Sequence, residues 1–96
     1  MRLSEMLLNK GMLVQLDNCS DFFGTKTKKL GTIHAMILAV RRIKLHEFSS
    51  AEYTRYHAGP HTFDWGHMYF IICMTQFGII KIVAHSSAVL VINVCR

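Results

Sequence analysis

The chain has 96 residues, of which 51% are apolar and 18% charged, with a single proline. That length gives one domain, residues 1–96, with one modest core, and the apolar fraction excludes general disorder. The net charge is +5, and it is unevenly placed: no acid falls between Phe22 and His46, a stretch that holds Lys26, Lys28, Lys29, Arg41, Arg42 and Lys44. A field of that sign attracts phosphate backbones or anionic lipid heads, or else simply keeps the surface solvated.

Residues 2–10, RLSEMLLNK, carry Leu3, Leu7 and Leu8 at helical spacing before Gly11, which predicts a short amphipathic helix. Glu5 and Lys10 break any signal-peptide core, so Asn18-Cys19-Ser20 is not read as a glycosylation site. The next segment alternates, with Met12, Val14 and Leu16 on one face, and predicts a strand ending in a turn at Asp17-Asn18. FFGTKTKKLG reads as a basic loop or hairpin tip between Gly24 and Gly31. Its glycine spacing does not fit a phosphate loop, because Thr32 stands where lysine is needed.

TIHAMILAVRRIKLHEF satisfies both periods: Ile33, Met36, Ile37 and Val40 suit a helix, while Met36, Leu38 and Val40 suit a strand. Ser49-Ser50-Ala51-Glu52 is a capping-box pattern for a second short helix, ended by Gly59-Pro60. Residues 68–95 hold one formal charge, Lys81, and are rich in isoleucine and valine. They predict three strands, near 68–75, 79–85 and 88–95, with turns near Gly78 and Ser86-Ser87. A membrane span in this segment is the competing reading, interrupted by Gln76, Lys81 and His85-Ser86-Ser87.

Three histidines crowd HAGPHTFDWGH. His57, His61, Asp64 and His67 make a zinc set by count, since catalytic zinc takes three protein ligands and one water. Gly59-Pro60 breaks the helical spacing of His57 and His61, which favours a turn anchored by Trp65 instead. His34, His46 and His85 stand alone. Cys19, Cys73 and Cys95 form no paired motif and read as free thiols of a reducing compartment, which points to the cytoplasm. No catalytic motif is complete, so an enzyme is not expected, and neither is a cofactor.

Residues 11–24, GMLVQLDNCSDFFG, have the form apolar, apolar, Val, any, Leu, any, Asn, then five residues and Gly24. This resembles the first motif of Sm and LSm proteins. A short leucine-bearing helix before the motif is similar to theirs. Gly31-Thr32-Ile33-His34 and Ile43-Lys44-Leu45 are similar to segments of their second and third strands, and FGIIKIV at 77–83 loosely resembles their second motif. The resemblance covers about residues 3–45 and a short later segment. It implies a small, strongly bent, five-stranded barrel that assembles into rings and binds single-stranded RNA. His34 stands where that family has asparagine, and Phe77 where it has arginine before glycine, so those RNA-contacting side chains do not carry over.

The expected fold is therefore α+β: a short N-terminal helix plus a twisted antiparallel sheet or small barrel, with the C-terminal strands forming the core. The expected function is a small non-enzymatic basic module that contacts RNA or another polyanion through residues 24–44. Lys26, Lys28, Lys29, Arg41, Arg42 and Lys44 would meet phosphates, and Phe22, Phe23 or Tyr56 would stack on bases. Two alternatives stay open at this point. One is a membrane-associated protein anchored by residues 68–95; the other is a strand-rich structural protein whose valine-rich last strand pairs with a further copy. A chain with no evolved activity is a third.

Overall fold

The computed structural model describes residues 8–23, 25–43, 55–59 and 67–93. The first strand, β1 (Leu13–Phe23), is entered through a turn at Lys10 and Gly11, where Gly11 has φ 91° and the Met12 amide donates to the Asn9 carbonyl at 3.3 Å. The predicted alternation holds: Met12, Val14 and Leu16 are buried and Leu13 is 41% exposed. Asp17 and Asn18 do not end the strand. Asn18 takes φ 52°, and β1 runs on past a register slip between Leu16 and Cys19. The residues that favour turns here make a bulge, which inserts one residue and bends the strand. Inside it the Cys19 thiol donates to the Leu16 carbonyl at 3.2 Å, while Asp17 accepts hydrogen bonds from Gln15 (3.0 Å) and Thr32 (3.2 Å).

The ambiguous segment is strand. β2 (Lys26–Ile43) has 18 residues and pairs antiparallel with β1, so the tip of the hairpin falls before Lys26 and the lysines lie in the strand itself. The slip between Cys19 and Ser20 leaves an extra residue at Leu30, and the slip between Ile37 and Ala39 leaves one at Leu38. β3 (Tyr56–Ala58), β4 (Met68–Thr75), β5 (Gly78–His85), a 3-10 turn at Ser86–Ala88 and β6 (Val89–Asn93) follow. β4 and β5 sit where the isoleucine- and valine-rich runs place them, with the turn at Gln76 and Phe77 just before Gly78; β6 follows the turn at Ser86–Ala88, and residues 94–95 of the expected last strand lie outside the described residues.

The strands close on themselves. β1 pairs with β2, β2 with β4, β4 with β5, β5 with β3, and β3 with β1; β6 lies beside the first part of β1. Every pairing is antiparallel except β3 with β5. Inside the ring is the main core, which includes Val14, Leu16, Ile33, Ile37, Ile71, Cys73 and Ile82. A smaller cluster of Ile43, Met68 and Val83, with Phe70 against it, lies on the outer side of the same strands. Register puts Val83 opposite Phe70 and Ile43 opposite Met68, while Ile82 faces Ile71 on the other side.

The expected α+β class is corrected to a six-stranded mixed sheet: among the described residues there are strands and one 3-10 turn, and no α-helix. Leucine spacing at the N-terminus suggested a helix, but Leu8 is already seated in the main core and the chain turns directly into β1. Residues 2–7 and the capping box at 49–52 lie outside the described residues. The core also draws on β1 and β2, not on the C-terminal strands alone. No helix among the described residues is long and apolar enough to cross a membrane.

The end of β3 is tightly held. Gly59 has φ 96°, donates its amide to the Asn18 carbonyl at 3.2 Å, and would place a Cβ 3.0 Å from both Ala88 and His85 Cβ atoms. His85 is buried, and its Nδ1 accepts the Ser87 amide at 3.1 Å to cap the 3-10 turn, so that side chain has no room to yield. Gly31, at φ 74°, has nothing within 4 Å of the same position. Gly59→Ala is therefore expected to cost about 2–4 kcal/mol and Gly31→Ala about 1–2 kcal/mol, read from urea midpoints at unchanged slope.

Candidate nucleic-acid interface

The far end of the β1–β2 hairpin gathers charge because register forces it to. Lys28 lies opposite Asp21, Lys29 opposite Ser20, and Lys26 opposite Phe23. Lys26 and Lys28 thus share the face of Asp21, and Lys29 shares the other face with Phe22. All three lysines are exposed.

β3 flanks β1 on its second edge, with Tyr56 opposite Asp21 and His57 opposite Ser20. This brings in Arg55, which precedes β3. Its guanidinium grips the Asp21 carboxylate as a fork, Nε to Oδ1 at 2.6 Å and Nη2 to Oδ2 at 2.8 Å. Its carbonyl accepts the Phe22 amide at 2.7 Å, and the same guanidinium lies 5.2 Å from the Tyr56 ring centroid. Hydrogen bonding from Arg55 holds the Asp21 carboxyl below its ordinary range; the charges of Arg55 and Lys28 add to this, and desolvation opposes it. The Phe22 ring meets the His57 ring edge-on at 5.1 Å and 88°. The hairpin end therefore sets four cations, Lys26, Lys28, Lys29 and Arg55, against one acid, and rests two partly buried aromatic rings, Phe22 and Tyr56, at its base.

The other basic candidates are elsewhere. Arg41 and Arg42 are exposed at the opposite end of β2, opposite Phe70 and Tyr69 of β4. Eleven residues of β2 lie between Lys29 and Arg41, so the two groups sit at opposite ends of that strand. The stretch that is continuous in sequence is thus two groups in space, and Lys44 and the ring of Phe23 lie outside what is described. Arg55 and Asp21 were not singled out from sequence. They stand 34 residues apart, and no local pattern links them.

Of the metal candidates, His57 is buried with its ring against Phe22, and His67 is exposed just before β4, its amide donating to Ser86 Oγ at 3.1 Å. His61 and Asp64 lie outside the described residues. Among the described residues no group of three or more His, Cys, Asp or Glu side chains could hold a metal ion. Cys19 and Cys73 are buried, and burial pushes both thiols up to about 11. Neither supplies a thiolate nucleophile near neutral pH.

The Asp21–Arg55 fork links hairpin order to pH. A carboxyl lowered by folding stabilises the fold above its unfolded value, about 3.9, and loses that contribution as pH falls through the folded value. Asp21→Asn is expected to be less stable than the parent at pH 6. That gap should narrow below about pH 4 in parallel denaturation series.

The chain matches no protein-family model, no curated protein and no solved structure.

Proposed function

We propose that this protein is a small binding module that holds single-stranded RNA at the far end of the β1–β2 hairpin. The observation that carries the reading is the juxtaposition of exposed Lys26, Lys28 and Lys29 with Arg55 and the rings of Phe22 and Tyr56. Lysines on both faces of a narrow hairpin can meet successive phosphates, and a ring beside them offers a surface for a base; each stacked base is worth about 1–3 kcal/mol. Asp21 is engaged by Arg55, so the one acid in the cluster does not repel an incoming phosphate unshielded. The Sm-like resemblance carries the same expectation, and the Val14, Leu16 and Asn18 of its motif lie on the bulged first half of β1. Buried free thiols at Cys19 and Cys73 suit a reducing, cytoplasmic setting.

Fluorescence anisotropy with labelled oligouridylate across a salt series tests this. The parent should bind at low salt with a log–log slope of about −2 to −3, and joint Lys26→Gln, Lys28→Gln and Lys29→Gln should reduce that slope by about 2. Arg41→Gln with Arg42→Gln should change affinity by less than about threefold, because those side chains are remote. Salt-indifferent binding, or none at low salt, overturns the assignment.

Self-association is a second reading, favoured by the sheet's two loose margins. Among the described residues β6 pairs only with β1, and residues 78–81 of β5 extend beyond the register of β3. Leu90 and Ile92 on β6 are 40% and 52% exposed. Such edges pair readily with another strand. Light scattering after size exclusion should show mass rising with concentration, and Leu90→Lys with Ile92→Lys should return it to the monomer; a monomer at every concentration removes this reading.

A further inference from the structure

The most exposed apolar side chains include a group at the β4–β5 turn, far in sequence from the basic hairpin. Met74 (45% exposed) and Ile79 (62%) are direct cross-strand partners, and Phe77 (52%) stands in the turn between them. Two hydrogen bonds close the turn, in which Gln76 is also exposed. The Phe77 amide donates to Thr75 Oγ1 at 3.0 Å, and that hydroxyl donates to the Gly78 carbonyl at 3.0 Å. These groups keep their partners if the tip leaves water, which lowers the penalty for burying the turn, and Gln76 can meet the headgroups.

Charge stands at the right height. Lys81 is exposed on the face of Ile79, two residues further from the tip, or about 7 Å along the strand. That spacing matches the roughly 5–10 Å depth to which apolar groups sink below lipid headgroups. A long lysine stem lets the ammonium reach the phosphates while its methylenes stay with the apolar side chains. Among the described residues the acids are Asp17 and Asp21, and both already accept hydrogen bonds within the protein.

We infer that the β4–β5 tip docks on an anionic lipid bilayer, with Phe77, Met74 and Ile79 entering the interface and Lys81 meeting lipid phosphates. A second copy fits this feature less well. Three side chains at a projecting turn expose on the order of 300 Å² of apolar surface, against about 800 Å² per partner in a stable protein interface. The inference is independent of the nucleic-acid assignment, because it uses neither the hairpin lysines nor Arg55.

The test is flotation of the full chain with phosphatidylcholine vesicles, with and without phosphatidylserine. The parent should float with the phosphatidylserine vesicles and only weakly with the neutral ones. Phe77→Asp should lower the partition coefficient at least tenfold and Lys81→Gln about fivefold, with unfolding midpoints near the parent's. No flotation, or flotation unchanged by Phe77→Asp, overturns the inference. So does flotation that is lost on replacing Lys26, Lys28 and Lys29 yet indifferent to Phe77, which would be adsorption through the basic hairpin. Lipid-free self-association abolished by Phe77→Asp would instead make the occupant a second copy, and overturns it too.

Discussion

Eighteen residues of extended chain span about 60 Å, and the molecule's longest dimension is 40 Å. β2 therefore has to bend, and the rest of the architecture follows from how it does so. The extra residues at Leu30 and Leu38 concentrate the curvature of β2, and the strand serves two partners, β1 along its first part and β4 along its second. A straight β2 would give an open sheet with one face of isoleucines in water. Bent, it wraps the core and brings the two ends of the sheet near enough for a three-residue strand to join them.

That joining strand, β3, buries little by itself, and its contribution is positional. It pairs with β1 on one side and β5 on the other, and Gly59 and Arg55 fasten its two ends. Arg55 does three things from one place: it neutralises Asp21, covers one side of Tyr56, and accepts the Phe22 amide on its carbonyl. The pair is half-buried, with Asp21 buried and Arg55 exposed, and its bidentate fork fixes orientation, here that of the basic hairpin relative to the rest of the sheet.

Legibility in the sequence followed range. The inward set Met12, Val14 and Leu16, the three strands after His67, and the turns at Gly78 and at Ser86 and Ser87 could all be read, because each is decided by neighbours within a few residues. Asp17 and Asn18 predict a turn that ends the strand, but a bulge and a turn use the same residues, and only the strand's continuation to Phe23 separates them. The segment 32–48, described to Ile43, satisfies two periods at once because the extra residue at Leu38 shifts the phase of alternation midway. The basic cluster was half legible: its lysines are local, whereas Arg55 reaches it across 34 residues, and Arg41 and Arg42 leave it through the length of the strand between.

The extra residue at Leu38 has a consequence for how the chain tolerates changes of length. Between Leu30 and Leu38, odd-numbered residues face the core, as Ile33, Ala35 and Ile37 do; after Leu38, Val40 packs inward and Arg41 faces out with Phe70. Parity along β2 is thus reset at Leu30 and again at Leu38, and everything downstream of Leu38 is written in the last phase. Removing a single residue there would leave composition and hydrophobicity almost unchanged while turning Arg41 toward the isoleucines and Val40 toward water. A loop can usually lose or gain a residue without such an exchange, so this strand, despite its exposed faces, is among the parts of the chain least free to vary in length.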